Sequence, residues 1–273
     1  MSDFDRNAAA ADYGRRLTRA EAAVVDAGLR AYMLRIYNYM VLGLAITGFA
    51  ALGAYMLSVT SDPAAAVRSA AGAAMTLRPG SGMFLTPIGY ALFVSPLKWV
   101  IILAPLALVF FLSFRIENMR PATAQITFWI YAALVGISLG VLFLVYTHTS
   151  IVRVFFITAA SFGALSLWGY TTQRDLSGMG SFLIMGLFGV IIASLVNIFL
   201  ASNALQWAIS VIGVLVFAGL TAWDTQRLKS EYIYGAMEGD VLERSAIMGA
   251  LSLYLDFLNL FTFLLQLLGS REE

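Results

Sequence analysis

The sequence has no cysteine, a single histidine and few charges: only 12% of its 273 residues are Asp, Glu, Lys or Arg. The absence of cysteine excludes disulfide bonds, thiolate metal sites and cysteine nucleophiles. A soluble domain carries about 25% charged residues, whereas this chain is 60% hydrophobic. The composition therefore indicates an integral membrane protein.

The charges that are present argue against nucleic-acid binding and against a secretory signal sequence. The net charge is +1, and no run of Lys and Arg is interleaved with aromatic residues. Nucleic-acid binding needs such a basic patch, so we expect no nucleic-acid partner. The first forty residues carry both signs of charge throughout and lack the apolar core of a secretory signal. They read as a tail on the membrane domain.

Seven long apolar stretches follow this tail. A membrane-spanning helix needs about 20 mostly apolar residues. The stretches that meet this length are 37–58, 97–116, 124–147, 153–172, 180–201, 206–226 and 246–268. They predict an all-α, polytopic integral membrane protein with seven transmembrane helices in a lipid bilayer. The predicted divisions are a tail at 1–36, helical in part from Leu17 to Arg30, a transmembrane domain at 37–269 and a short C-terminus at 270–273.

One connection, 59–96, is much longer than the others. It begins with a polar segment around Pro63 and ends with the apolar sequence MFLTPIGYALFV. A Pro- and Gly-containing start predicts an irregular chain. The apolar end is too short to span a bilayer. We therefore expect an interfacial or re-entrant element before the second helix.

The distribution of Lys and Arg predicts the orientation. Cytoplasmic flanks of membrane helices carry an excess of these residues. If the N-terminus is cytoplasmic, twelve of the 17 Lys and Arg residues lie on the cytoplasmic side. We therefore expect a cytoplasmic tail, an external C-terminus and an external 59–96 connection.

Two aspartates stand inside apolar stretches near the C-terminus, Asp224 in the sixth and Asp256 in the seventh. A carboxylate at the bilayer centre costs about 3 kcal/mol on insertion scales, so such residues face a protein interior or a water-filled cavity. Asp256 lies ten residues into its stretch, which at about 1.5 Å per residue brings it near the bilayer centre. We interpret the two aspartates as the candidate functional centre.

The polar residues of the seventh stretch follow the period of a helix. Ser252, Asp256, Asn259 and Gln266 are separated by three, four or seven residues, which places them on one face. A lipid-facing surface does not carry such a stripe, so we expect the other helices to surround the last one. Ser252 and Asn259, with Thr221 one turn before the first aspartate, are the residues expected to support the pair.

The sixth and seventh helices are antiparallel, and Asp224 reaches Asp256 if the sixth helix is tilted or its cytoplasmic end is recessed. Two carboxylates in contact cannot both ionise cheaply and tend to share a proton. Such a pair responds to pH and can exchange its proton for a cation. Deprotonated, it offers oxygen ligands suited to Ca²⁺. We expect protons and calcium ions as ligands and no other cofactor.

Two arginines leave alternatives open. Arg227 follows Asp224 at i+3, which is also typical of an ordinary helix-end ion pair worth about 0.2–0.5 kcal/mol. Arg115 ends the second stretch on the same predicted side of the membrane. It is either a cytoplasmic anchor or a latch whose guanidinium pairs with Asp224 and releases it when the aspartate takes up a proton.

Intramembrane aspartyl proteases also place two aspartates on adjacent helices. Those enzymes need Gly-x-Gly-Asp around the second aspartate and Pro-Ala-Leu after it. Here the tetrapeptide ending at Asp256 is LYLD, and no proline follows Pro121. The sequence also lacks a phosphate-binding glycine-rich loop with lysine and a nucleophile with a histidine base. We expect that the protein is not an enzyme.

Three segments taken together carry a family resemblance. They are 155–199, GLTAWDTQRLK at 219–229 and GALSLYLDFLNLFTFLLQLLG at 249–269. Their combination resembles the Bax inhibitor family in its bacterial form, over about 38–270. The resemblance implies a seven-helix fold in which six helices surround the last. The chain departs from the family in the 59–96 connection and in an extended loop at 230–245.

The resemblance also implies a function: a pH-sensitive Ca²⁺ leak pathway of the bacterial inner membrane. In it, two aspartates of the last two helices sense protons and an arginine of the second helix latches them. The motifs place the aspartates at Asp224 and Asp256, and the arginine maps to Arg115. Bacterial relatives are also linked to a membrane-anchored quality-control protease. The alternative function is therefore an interaction protein that modulates such a protease or a stress response.

Overall fold

Apolar helices account for most of the structure. The computed structural model describes residues 19–68, 73–76, 82–235 and 239–271. The helices are α1 (Arg19–Ser58), α2 (Pro87–Phe93), α3 (Leu97–Arg115), α4 (Pro121–Leu139), α5 (Leu142–Val145), α6 (His148–Thr171), α7 (Ser177–Leu200), α8 (Asn203–Gly235) and α9 (Gly239–Leu268). The strands are β1 (Val59–Thr60) and β2 (Phe84–Leu85), and 3-10 turns occur at Pro63–Ala65 and Ile116–Asn118.

The described part of the chain contains seven helical segments long and apolar enough to cross a membrane, by length and composition. They are Asp26–Ser58, Leu97–Asn118, Pro121–Val145, His148–Thr171, Ser177–Leu200, Asn203–Ile233 and Gly239–Leu268. Each overlaps one predicted stretch, so the prediction of an all-α, seven-helix membrane protein is confirmed. We call the end of the bundle where α1 begins the N-side and the opposite end the far side.

Several helices extend beyond their predicted ends on the N-side. Helix α1 begins at Arg19 and passes residue 36 without a break, and the expected loop at 230–245 is wrong because α8 continues to Gly235 and α9 begins at Gly239. The Tyr32 ring stacks on Tyr232 with centroids 5.3 Å apart, and its hydroxyl lies 2.8 Å from that of Ser245. Packing between helices stabilises these extensions, whereas apolar length detects only the most apolar part of each helix.

The 59–96 connection contains a small hairpin and a short helix. Strands β1 and β2 pair antiparallel, with Val59 opposite Leu85. Helix α2 follows, and the Thr86 hydroxyl caps it by accepting from the Gly89 N–H at 3.0 Å. A Cβ at Gly89 would lie 2.3 Å from the Ser58 carbonyl oxygen. The apolar segment predicted here is therefore a helix packed against the end of α1.

Helix α9 lies at the centre of the packing. Its consecutive residues Gly249, Ala250 and Leu251 are all buried, so more than one of its faces is covered. It packs against α8, α1, α6 and α4, and α3 reaches it through the turn Ile116–Asn118. Helix α7 packs mainly against α8. The last helix is thus enclosed most directly by four of the helices described.

A glycine brings α1 and α4 into close contact. A Cβ added at Gly136 would lie 2.4 Å from the Thr47 carbonyl oxygen and 2.7 Å from Ala50 Cβ. Thr47 Oγ1 lies 2.9 Å from the Ala132 carbonyl oxygen and 2.6 Å from the Tyr254 hydroxyl. Small residues allow this approach, which is a main source of helix association in lipid. The glycine therefore positions α1 against both α4 and α9.

We predict that Gly136→Ala lowers the midpoint of thermal unfolding, whereas Gly53→Ala does not. The added methyl group at Gly136 must displace the α1 backbone, and overpacking of this kind costs about 1–3 kcal/mol. At Gly53 no described atom lies within 4 Å of an added Cβ. Thermal unfolding of both variants in one detergent measures the difference. Equal midpoints would contradict the close α1–α4 contact.

Candidate functional site: the paired aspartates

Helices α8 and α9 bring the two predicted aspartates together inside the bundle. Asp224 retains 7% and Asp256 4% of its accessible surface. Their carboxyl groups lie close enough to interact with each other, and two carboxyl groups in contact tend to share a proton. The neighbouring face of α9 is apolar and buried, with Leu253, Phe257 and Leu260 around Asp256. The pair is therefore held in protein rather than in lipid.

Arg227 supplies the positive charge beside the pair. Its Nη2 lies 2.9 Å from Asp224 Oδ1 and donates to the Ser252 hydroxyl at 3.3 Å. Its Nε lies 3.5 Å from a Glu231 carboxylate oxygen, and its guanidinium carbon lies 5.0 Å from the centroid of the Trp223 ring. Because 38% of the Arg227 side chain is exposed, this residue connects the buried pair to the N-side surface.

Arg115, the expected latch, does not contact the aspartates in this structure. It is exposed at the end of α3, and it forms no ion pair with another described residue. Its neighbours Leu112 and Ile116 are the residues of this turn that face the core. Arg227 takes the position beside Asp224 because a residue at i+3 lies on the same helix face.

The three supporting polar residues differ in what they contact. Ser252 joins the site through its hydrogen bond from Arg227. Thr221 is fully buried, and its hydroxyl donates to the Phe217 carbonyl oxygen of its own helix at 2.8 Å. Asn259 donates to the Leu255 carbonyl oxygen at 2.8 Å. Only Ser252 among the three therefore has a described contact with the charged cluster.

A chain of hydroxyl groups links α1 to α8 beside the pair. The Tyr37 hydroxyl lies 2.6 Å from Ser166 Oγ on α6. Ser166 Oγ lies 2.8 Å from the hydroxyl of Thr225, which directly follows Asp224. The sequence indicates that Ser166 bonds to a neighbouring helix, but it does not identify Tyr37 and Thr225 as the partners, because these depend on which helix faces meet.

A second polar cluster lies near the far side. Gln206 Nε2 donates to Gln266 Oε1 at 2.7 Å, and the Ser210 hydroxyl donates to the same oxygen at 2.8 Å. Asn197 Nδ2 donates to Gln206 Oε1 at 3.0 Å and its own oxygen accepts from the Ser202 N–H. Asp256 and Gln266, which both belong to the expected polar stripe of α9, thus lie in two separate clusters.

An aromatic layer lies between these two clusters. Phe217 of α8 and Phe263 of α9 stack with ring centroids 5.9 Å apart. Each ring is about two helical turns from its aspartate, in the direction of the far side. A Cβ added at Gly213 would lie 2.7 Å from the Phe263 ring. The rings therefore occupy the space between α8 and α9 that separates the two clusters.

The carboxylate oxygens are the atoms of this site that could bind a cation. Within the described ranges, no group of three or more His, Cys, Asp or Glu side chains is placed to hold a metal ion. Oδ2 of Asp256 is buried and lacks a hydrogen-bonding partner within those ranges. Ca²⁺ takes about six to eight oxygen ligands, so two carboxylates would leave much of its shell to water.

The fold and the buried acidic pair define a polytopic helical membrane protein. A family model described as Inhibitor of apoptosis-promoting Bax1 matches residues 29–273. The chain therefore belongs to the Bax inhibitor family, which confirms the resemblance read from the sequence.

Three bacterial relatives cover almost the whole chain. The inner membrane protein YbhL of Escherichia coli K12 is 42% identical over 260 residues, or 94% of this chain and 99% of the relative. RP147 of Rickettsia prowazekii is 46% identical over 263 residues, with 96% and 99% covered. A protein of Caulobacter vibrioides is 42% identical over 274 residues, with both chains covered completely.

The geometry predicts that Arg227, and not Arg115, stabilises the aspartate pair. Arg227→Gln leaves a buried acceptor without its charged donor, which costs about 1–3 kcal/mol. Arg115→Gln, the matched control, changes an exposed side chain and should cost less than about 0.5 kcal/mol. Thermal unfolding of the purified variants compares them. A larger loss in the Arg115 variant would restore the original latch assignment.

Proposed function

We propose that this protein is a pH-sensitive leak pathway for Ca²⁺ in the bacterial inner membrane, controlled by Asp224 and Asp256. The observation that carries the proposal is the close approach of two nearly inaccessible carboxyl groups. A bound proton stabilises such a contact, since two adjacent carboxylates repel each other in a medium of low dielectric. Proton occupancy and the local arrangement of α8 and α9 are thereby linked.

The proposed mechanism is an exchange of charge at the pair. With one proton held between the carboxyl groups, their net charge is −1, and the adjacent Arg227 balances it. Loss of that proton leaves the two carboxylates with a net charge of −2 beside the single positive charge of the Arg227 guanidinium. The pair then either separates or binds a cation, for which carboxylate oxygens are the ligands that Ca²⁺ prefers. Arg227, whose side chain is 38% exposed, can follow Asp224 or release it.

The aromatic layer supports a closed pathway in the present conformation. An ion that leaves the aspartates for the Gln206 and Gln266 cluster has to pass the stacked rings of Phe217 and Phe263. Apolar constrictions of this kind exclude ions by dewetting. We infer that conduction requires α8 and α9 to move apart at these rings, and that the charge state of the pair biases that movement.

The proposed orientation has the N-side in the cytoplasm. Lys and Arg are concentrated on that side of the bundle, as the positive-inside rule requires. The name of the Escherichia coli relative, inner membrane protein YbhL, supports the same membrane for this chain. The aspartate pair and Arg227 then lie closer to the cytoplasmic end of the pathway.

A specific feature also favours a second function, the regulation of a partner such as a membrane-anchored protease. On the N-side, α1, α8 and α9 project together past the predicted apolar spans. Arg35 forms an ion pair with Glu243, and the Tyr39 hydroxyl donates to the same carboxylate at 2.5 Å. These contacts create an ordered helical surface at the N-side end of the bundle, which a protein partner can bind.

The leak is tested by Ca²⁺ flux in liposomes that contain the purified protein and a trapped indicator. We predict that flux through the wild type changes with pH and that Asp256→Asn and Asp224→Asn each remove this change. Asparagine keeps the size and hydrogen-bonding capacity of the side chain but cannot release a proton. The matched control is Asp240→Asn, an exposed carboxylate at the start of α9. A pH response that persists in both single variants would contradict the proposal.

The two functions predict opposite results in co-purification. If partner regulation is the primary function, a protease recovered with the wild type should also be recovered with the double variant Asp224→Asn, Asp256→Asn. It should be lost when Arg35→Gln and Glu243→Gln disrupt the N-side surface. Loss of the partner in the aspartate variant alone would tie binding to the buried pair and contradict a separate regulatory surface.

A further inference from the structure

A deep groove opens between α1 and α6 toward the surrounding membrane. Its volume is about 1250 Å³, and it is lined by α1 from Arg30 to Leu52 and by α6 from His148 to Tyr170. Phe257 of α9 forms part of its floor. At about 1.5 Å per residue, the α1 wall is roughly 33 Å long, which is comparable with the hydrocarbon thickness of about 30 Å.

The groove exists because small residues face it from both helices. Ala45 and Gly48 line it on α1, and Ala159 and Gly163 line it on α6. A Cβ added at Gly48 or Gly163 meets no described atom within 4 Å. Neither glycine is therefore used for a helix contact, in contrast to Gly136.

The hydroxyl groups on the groove wall leave its surface apolar. Tyr37 and Ser166 both line the groove, but their hydroxyls lie 2.6 Å apart and bond each other. This contact also shows which residues of the two antiparallel helices lie at the same depth. Because α1 and α6 are antiparallel, residues equally far from this contact along the two helices lie at similar depths. Gly163 is therefore near the depth of Met40, and Arg30 lies just beyond the end of α6. The N-side half of the groove thus runs from Arg30 to Met40, about 15 Å or one leaflet.

Positive charge lies at the N-side opening. Arg30 lines the groove and is exposed. It forms no ion pair within the described part of the chain, although Asp26 is one turn before it. Lys229 does not line the groove, but its Nζ donates to the carbonyl oxygen of Tyr170, a lining residue, at 2.9 Å. An apolar groove with an exposed arginine at its N-side end is complementary to an anionic phospholipid.

We propose that the N-side half of this groove binds one anionic phospholipid, with its phosphate at Arg30 and its acyl chains between Met40 and Gly163. The charge distribution favours a lipid over a partner helix, because the exposed Arg30 lies at one end of a groove whose lining is otherwise mostly apolar. Flexible chains fill such a space without the exact shape that a helix requires.

The experiment measures lipid retained by the purified full-length protein in native mass spectrometry, with phosphatidylglycerol or phosphatidylcholine added at equal concentration. The wild type should retain one phosphatidylglycerol in preference to phosphatidylcholine. Arg30→Gln should reduce that preference about fivefold, the effect of one basic residue near anionic lipid. Gly163→Phe, which fills the acyl-chain space, should reduce retention of both lipids to background.

The matched controls are Arg120→Gln, an exposed arginine on the N-side outside the groove, and Gly189→Phe, a glycine of α7 that also has open space at its Cβ. Both should retain phosphatidylglycerol like the wild type. Equal retention of the two lipids by the wild type would overturn the proposal. So would wild-type retention by Gly163→Phe.

A second measurement does not depend on the folding of any variant. Wild-type protein in vesicles is cross-linked to phosphatidylglycerol that carries a photoactivatable group at the end of an acyl chain, and the labelled peptides are identified. The proposal expects label concentrated at 37–44 and 159–167. Label spread evenly over the lipid-facing helices would overturn it. Label absent from both segments while a co-purified protein cross-links there would identify a helix as the occupant and also overturn it.

Discussion

The contact between Asp224 and Asp256 is the interaction on which this structure's interpretation depends. A single buried carboxylate is costly in a membrane protein, and two in contact are affordable only with a proton between them and a cation beside them. Arg227 provides the cation and leads from the pair to the N-side surface. The site therefore couples protonation to the packing of the two last helices, since any change in its charge alters the balance that holds them together.

The packing of α9 explains why such a contact persists. Covered faces of this helix fix Asp256 in the interior, and close contacts such as Thr47 with Tyr254 tie it to α1. Two turns farther along, Phe217 and Phe263 close the space between α8 and α9. The same pair of helices thus carries the proton-binding groups and the apolar barrier. A movement of one helix relative to the other would act on both at once.

The number and placement of the membrane helices could be predicted from sequence because apolar length is a local property. Asp224 and Asp256 were identifiable for the same reason, as charges in apolar surroundings. The choice between Arg115 and Arg227 was not, since it depends on which face of each helix turns inward. The extensions of α1, α8 and α9 were also missed, because they are stabilised by contacts such as that of Tyr32 with Tyr232. Hydropathy does not reveal contacts between helices.

The central claim is that the two aspartates act as one unit, and a double-mutant cycle on the pH response of Ca²⁺ flux tests it most directly. The variants are Asp224→Asn, Asp256→Asn and their combination, compared in the same liposomes. If the carboxyl groups share a proton, the combination should change the response no more than either substitution alone, because residues in contact are not additive. Effects of the two substitutions that simply add would show independent groups and contradict the account.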